Sequence, residues 1–282
     1  MPFAICHSLI RPFADSLTEF HMTSTPMLTV LEEDKHWWFA TRTRIILAYL
    51  DRYVGPGKDR RVLDVGCGAA NMTHHLRHYG QVVGVDNNPK PLAIARERGL
   101  EAYQGAADDL PFGDEEFDLV ALLDTVEHVP GEDQVFEECR RVLRGPDPVT
   151  GRPGGRLLVT APAFKFLWSQ NDVINMHQRR YTAAGLQAKL AQHGFRVLRI
   201  SYNNFFVFPL AAALIVLRRG RAEPKLASPH FDEDAYQVEM EPTPPVLNAV
   251  LTLVGKLEVA LLRRVNLPVG TSVIAIAEKV TG

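Results

Sequence analysis

The sequence predicts an α/β fold built on a seven-stranded, mostly parallel sheet with helices on both faces. Three observations carry that expectation. From residue 61 onward, short β-branched runs alternate with stretches of helical spacing. The first two runs end in glycine or acidic residues, as strands feeding a ligand-binding edge do. A length of 282 residues suffices for one large α/β core with an elaboration, without a metal or disulfide to hold it.

Ahead of the first strand, residues 28–54 place apolar groups at helical spacing, namely Leu28 and Leu31, then Ile45, Ile46, Tyr49 and Leu50. Gly55-Pro56-Gly57 stops the run. Residues 28–60 are therefore expected as an N-terminal helical cap, and residues 1–27 as a disordered extension. The opening stretch MPFAICHSLIRPFADSLTEF lacks both the basic start and the continuous apolar run of an export signal.

The expected strands are RVLDVG from residue 61, QVVGVD, EAYQGA, FDLVALLD, RLLVTAP and FRVLRISYN. Helices are expected near 71–79, 89–98, 132–144 and 182–193, the last closed by Gly194. This core, residues 61–204, precedes an apolar helical insertion or lid at 205–265, and TSVIAIAEK supplies the final strand within 266–282. In the insertion, FFVFPLAAALIVL (205–217) falls short of the roughly 18–20 residues of a bilayer span and is interrupted by Pro209. Residues 220–245, rich in Pro, Glu and Asp, read as a loop. VLNAVLTLVGKLEVALLRR (246–264) returns to an apolar helix.

The charge balance, 31 Lys and Arg against 33 Asp and Glu for a formal net charge of -2, offers no global field to gather nucleic acid. Cys6, Cys67 and Cys139 are too scattered for a disulfide framework or a paired-cysteine metal site. A cytoplasmic protein is expected, and no metal is called for. The oligomeric state is left open.

The phrase Val62-Leu63-Asp64-Val65-Gly66-Cys67-Gly68 is an apolar strand running into a glycine turn. Gly66 and Gly68 remove side chains where backbone meets ligand, and the next helix offers N–H groups to an anion. Asp86 ends the following strand, where a carboxylate can accept both hydroxyls of a ribose. That pair suits a nicotinamide dinucleotide or an adenosyl sulfonium. The third glycine of a dinucleotide fingerprint is replaced by Asn71, which disfavours the first. Asp124, at the end of the fourth expected strand, is either a ligand contact at the sheet edge or a helix N-cap. Glu127 and His128 are read as organising the loop that follows.

These phrases, with Gly105-Ala106-Ala107-Asp108-Asp109-Leu110-Pro111-Phe112, Phe117-Asp118 and Asp124-Thr125-Val126-Glu127-His128, resemble the class I S-adenosylmethionine-dependent methyltransferases in their ubiquinone-type, or type 11, branch. The resemblance spans about residues 60–165 and implies a Rossmann-like core. It implies S-adenosyl-L-methionine as cofactor, held by Asp64, Gly66, Cys67, Gly68, Asp86, Asn87, Ala107, Asp108, Leu110 and Asp124, with the glycine turn on the methionine part and Asp86 on the ribose. Many relatives carry Asp where this chain has Ala106. Residues 145–153 form a longer loop than relatives show before the fifth strand. His36-Trp37-Trp38-Phe39, with Asn203-Asn204-Phe205-Phe206 and the stretch from Trp168 to Tyr181, resembles a bacterial subgroup of these enzymes.

On the acceptor side, Arg42 is placed to pair with the carboxylate of the cofactor. Trp37, Trp168, Asp172, Arg179 and Arg180 are candidate substrate contacts, although one arginine can equally pair with Asp172. His177 is the candidate general base, with Asp124 as a second catalytic candidate. The function expected is methyl transfer to a small-molecule or lipid-like acceptor, with peripheral contact at the inner face of a membrane through the apolar insertion. A nicotinamide-dependent oxidoreductase and a non-catalytic cofactor-binding protein are the alternatives.

Overall fold

A computed structural model describes residues 34–218 and 243–281. The expectations for residues 1–33 and for the Pro-rich loop lie outside those residues. The chain runs α1 (Trp37–Tyr53), β1 (Arg61–Val65), α2 (Thr73–Leu76), β2 (Gln81–Asp86), α3 (Pro89–Glu97), β3 (Glu101–Gln104), β4 (Leu119–Leu123), α4 (Glu132–Val142) and β5 (Arg156–Pro162). A 3-10 turn (Lys165–Leu167), α5 (Gln170–Ile174), α6 (Ala183–Gln192), β6 (Phe195–Asn203), α7 (Phe208–Arg218), α8 (Pro245–Leu262) and β7 (Ser272–Lys279) follow.

The strands form one seven-stranded sheet in the order β3-β2-β1-β4-β5-β7-β6. β1 to β5 pair in parallel, and β7 enters antiparallel between β5 and β6. Because both faces are covered, the central strands are apolar on both sides, as parallel sheets require. Leu63, Val65, Val120, Leu122 and Val159 point to one face, where Phe136 and Cys139 of α4 and Leu186 and Leu190 of α6 seal them. Val62, Leu119, Ala121, Leu158 and Ile274 point to the other, under Ile45, Ile46 and Leu50 of α1, Leu92 of α3 and Val259 of α8. Burying each such side chain stabilises the fold by about 1.5–3 kcal/mol.

Two segments differ from expectation. The helix expected near 71–79 contracts to Thr73–Leu76, because the chain from Gly66 to Ala70 is wound through positive φ at Gly66, Gly68 and Ala70 and cannot yet be helical. Arg98 braces that stretch through the Ala69 carbonyl (2.6 Å) and the Asn71 side chain (2.7 Å). The helix α5 was not anticipated, although Ser169 and Asp172 at its start form a capping box whose spacing is visible in the sequence.

The late helix α8 lies on α1. The Asn248 side chain accepts the Trp37 N–H (2.8 Å) and donates to the Lys35 carbonyl (2.9 Å), and His36 Nε2 meets Thr243 Oγ1 at 2.9 Å. A Cβ on Gly255 would overlap the side chain of Thr41, so glycine there lets the two helices touch. Glu258, buried on the inner side of α8, accepts the backbone N–H groups of Asn204 and Phe206 (the latter at 3.5 Å) where β6 turns into α7.

Candidate active site

The site forms at the carboxyl ends of β1, β2 and β4, the edge at which open α/β sheets take ligands. The chain leaves β1 at Gly66, whose φ of +75° is left-handed and whose missing Cβ makes room for Thr125, with Thr125 Cγ2 2.8 Å from where that Cβ would stand. The N–H groups of Gly66 and Cys67 both donate to the Val85 carbonyl, at 2.8 and 3.1 Å, tying the bend to β2. Gly68 is also left-handed (φ +52°), and a Cβ there would meet nothing within 4 Å. The bend is thus packed on its Gly66 side and open on its Gly68 side, which leaves space for a ligand.

Asp86, at the end of β2, accepts the Gly68 N–H (2.9 Å) through one carboxylate oxygen and the Asn88 N–H (2.9 Å) through the other. It therefore holds the bend and its own loop in register before any ligand arrives. Asp64 lies beneath the bend, 2% exposed, with one oxygen held by the Thr73 hydroxyl (2.8 Å). Burial pushes its carboxyl up to about 6, with Asp86 adding to the rise while Thr73 and Arg42 partly offset it. A buried carboxylate in that state is a receptor for a cation. The third loop, 105–110, is a tight turn docked on β2 through Gly105 N–H to Asp86 O (3.1 Å), with Ala107 and Asp108 half-buried at its tip.

These observations meet the needs of an adenosyl amino acid with a positively charged sulfur. The open glycine bend admits its backbone, Asp64 suits a cationic group, and Asp86 stands where ribose hydroxyls would be accepted. Asn71 occupies the place of the third dinucleotide glycine, and its side-chain oxygen is engaged by Arg98.

Other candidates sit differently from expectation. Arg42 turns toward Asp124 within the fold. Its Nε (2.8 Å) and a terminal nitrogen (2.7 Å) both bind one Asp124 oxygen. Asp124 is not an N-cap either: it sits in the left-handed region (φ +54°), and α4 begins eight residues later with Gly131 at its cap. Burial pushes the Asp124 carboxyl up more than any other single influence, but the charge and hydrogen bond of Arg42, with a hydrogen bond from Thr160 and other positive charge, together hold it below the usual range.

Of the two expectations for Arg179 and Arg180, the structure shows the pairing with Asp172. Arg180 forks onto both oxygens of the fully buried Asp172 (2.7 and 2.9 Å), while Arg179 binds the carbonyls of Val126, Val129 and Pro130. Asp172 therefore serves the fold, not an acceptor. Trp37 is 5% exposed and anchors α1 against α8, so it presents no face to a substrate. Trp168 is half-buried at the end of the 3-10 turn. Cys67 contributes backbone to the bend while its thiol, pushed up by burial, packs against Gly84. Leu110 is sealed in the core with its N–H on Glu138 (2.8 Å), and Asn87 is exposed beside the bend.

His177 is buried, and its Nδ1 meets an Asp172 oxygen at 2.9 Å. Its ring packs edge-on against His128, centroids 4.7 Å apart, so an acceptor-facing nitrogen of the kind a general base needs is not what this enclosure favours. Beside the pair lies Glu127, fully buried with no hydrogen-bond partner for either carboxylate oxygen. Burial, reinforced by Asp124, pushes its carboxyl up to about 8, and burial likewise lowers His128 to about 4. The sequence reading missed this grouping, since Glu127-His128 and His177 come from loops far apart in the chain.

Sheet order, glycine bend and the two acids beside it define the class of fold: a Rossmann-like α/β sheet with a ligand site at its carboxyl edge. Residues 63–158, from β1 to β5, match the methyltransferase domain family. Over 102 residues the chain is 36% identical to a ubiquinone biosynthesis O-methyltransferase of Hahella chejuensis, covering 33% of this chain and 42% of that protein. Over 142 residues it is 32% identical to a demethylmenaquinone methyltransferase of Mycobacterium bovis, covering 50% and 53%. The chain thus spans about half the length of the curated relatives it matches. A phosphoethanolamine N-methyltransferase from Haemonchus contortus, solved with S-adenosyl-L-methionine, shares the fold with a TM-score of 0.53 at 19% identity, over 90% of this chain and 58% of that one.

Proposed function

We propose that the protein is an S-adenosylmethionine-dependent methyltransferase that transfers a methyl group to a small, lipid-like acceptor met at a membrane surface. The observation that carries the transfer reaction is the open glycine bend between two acids, Asp64 beneath it and Asp86 beside it. The bound cofactor supplies a methyl group on a positively charged sulfur, already activated for in-line attack. The chain then has to hold the partners in line and exclude water. Asp86 orients the ribose, Asp64 takes the cationic end of the amino acid, and the Arg42–Asp124 pair closes the edge between α1 and β4.

Two observations support the acceptor class. One relative is named a ubiquinone biosynthesis O-methyltransferase and another a demethylmenaquinone methyltransferase. In addition, α8 is apolar along its outer side: Val246, Leu247, Val250, Leu253 and Leu257 are exposed, and Lys256, Arg263 and Arg264 lie among or after them. This helix is long and apolar enough to cross a membrane by length and composition. Its inner side is fastened to the protein by Glu258, Gly255 and Asn248, an arrangement that suits lying on a bilayer instead of crossing it. The apolar outer side of α8 supports our reading that the protein works against a membrane surface, taken as the inner face.

Calorimetry with S-adenosylhomocysteine, followed by partition of labelled methyl between aqueous and organic phases of a native lysate, tests the reading. Binding and label in the organic phase are expected. A folded sample that binds NADH and not S-adenosylhomocysteine overturns it.

A further inference from the structure

We propose that Glu127, His128 and His177 form a binding site for one divalent transition-metal cation, with a fourth coordination position left to water. Each residue offers one ligand atom, and these atoms lie within 4.8 Å of one another. Small adjustments of the side chains bring them to about 3.4 Å, the edge of a tetrahedron with metal–ligand distances near 2.1 Å.

Three features distinguish the group from a chance gathering of polar side chains. Glu127 is fully buried and both of its oxygens lack any partner, a condition native folds rarely leave uncompensated. His177 is already oriented: Asp172 holds its Nδ1 at 2.9 Å, and Arg180 in turn fixes Asp172, which leaves Nε2 as the ligating nitrogen. Such a carboxylate–histidine relay is the usual outer shell of a metal site. The two loops are also joined by backbone, Gln178 N–H donating to the Glu127 carbonyl at 2.7 Å, and His177 is tied to its own segment by its N–H on the Asp172 carbonyl at 2.8 Å, so the donors stand on a braced frame.

Two imidazoles and one carboxylate form a borderline donor set that selects zinc, iron(II), cobalt(II) or manganese(II) over calcium or magnesium. A bound cation would neutralise the buried Glu127 and clamp the loop after β4 to the loop after α5. The site begins two residues beyond Thr125, which packs against the glycine bend, so the clamp borders the cofactor edge.

The test uses the full-length, untagged protein after chelator treatment, with zinc as the probe. Equilibrium dialysis should show one tightly held equivalent, and cobalt(II) in its place should give the visible absorption of a four- or five-coordinate ion. Glu127→Gln, which keeps the shape and removes the buried charge, should weaken zinc binding at least about 100-fold. Its urea unfolding and its binding of S-adenosylhomocysteine verify that the variant is folded. No retained equivalent, or equal zinc affinity in wild type and Glu127→Gln, overturns the proposal. Because metal retention is read and not turnover, that failure leaves the methyltransferase reading standing.

Discussion

Asp64 makes cofactor binding and stability depend on pH in a way that can be worked out from its surroundings. In the fold its carboxyl is raised from 3.8 to about 6, chiefly by burial. A raised acid is protonated in the folded protein at pH values where the unfolded chain has already lost the proton. Its contribution to stability is therefore largest near pH 4 and falls as pH rises through about 6. At about 1.4 kcal/mol per pH unit, ionising this group inside the fold costs about 3 kcal/mol.

A cationic ligand group beside it offsets that cost, so binding below pH 6 must expel a proton. The affinity for S-adenosylhomocysteine should be about tenfold weaker at pH 5 than at pH 7. Calorimetry in two buffers of different ionisation enthalpy reads the released proton directly. Asp64→Asn should bind far more weakly at pH 7 and lose the pH dependence, while gaining stability over wild type at pH 7.5 and not at pH 4. An affinity independent of pH between 5 and 7 in wild type, or an Asp64→Asn variant that keeps the wild-type slope, refutes the reasoning.

Further outcomes follow from the same contacts. Gly66→Ala places a side chain in a left-handed conformation, at about 1–2 kcal/mol, and drives it into Thr125 for about 1–3 kcal/mol more, so thermal unfolding should fall by several degrees and cofactor affinity with it. Arg180→Ala leaves Asp172 buried without its forked partner and should destabilise by roughly 3–5 kcal/mol in urea. The carboxyl of Asp172 is held well below the usual range despite its burial, by His177, Arg180 and the Ser169 N–H, so its stabilising effect is present above about pH 4 and lost as pH falls, and the variant should show a shallower acid limb. Leu253→Asp on the outer side of α8 should leave unfolding within about 0.5 kcal/mol of wild type yet abolish flotation with anionic vesicles; undiminished flotation would remove α8 as the contact.

The strands were legible because each is a short apolar run whose alternate residues fill two different cores, as Val62 and Leu63 do on β1. The glycine bend was legible because Gly66 and Gly68 perform a local task. The interior of the late insertion was readable as helices but not as to its partner. What the sequence hid are pairings that act across the fold. Arg42 and Asp124 look like separate ligand contacts until the chain brings them together over 82 positions. Arg179, Arg180 and Asp172 look like an anion clamp because charged side chains in a row suggest solvent, whereas the capping box at Ser169 turns Asp172 inward. Glu127 looked like loop organisation, and only its enclosure by His128 and His177 shows a buried carboxyl without a hydrogen-bond partner.

The contact between α1 and α8 also bears on how the protein is made. The first described helix leaves the ribosome early, with Ile45, Ile46 and Leu50 seeking cover, yet the residues that lock its outer end, Asn248 and Gly255, are translated some two hundred codons later. Until then the sheet can cover one side of that helix, but the side that meets α8 stays open. A newborn polypeptide of this kind suits capture by chaperones, and a stop codon anywhere before residue 245 would leave the early helix permanently half-covered.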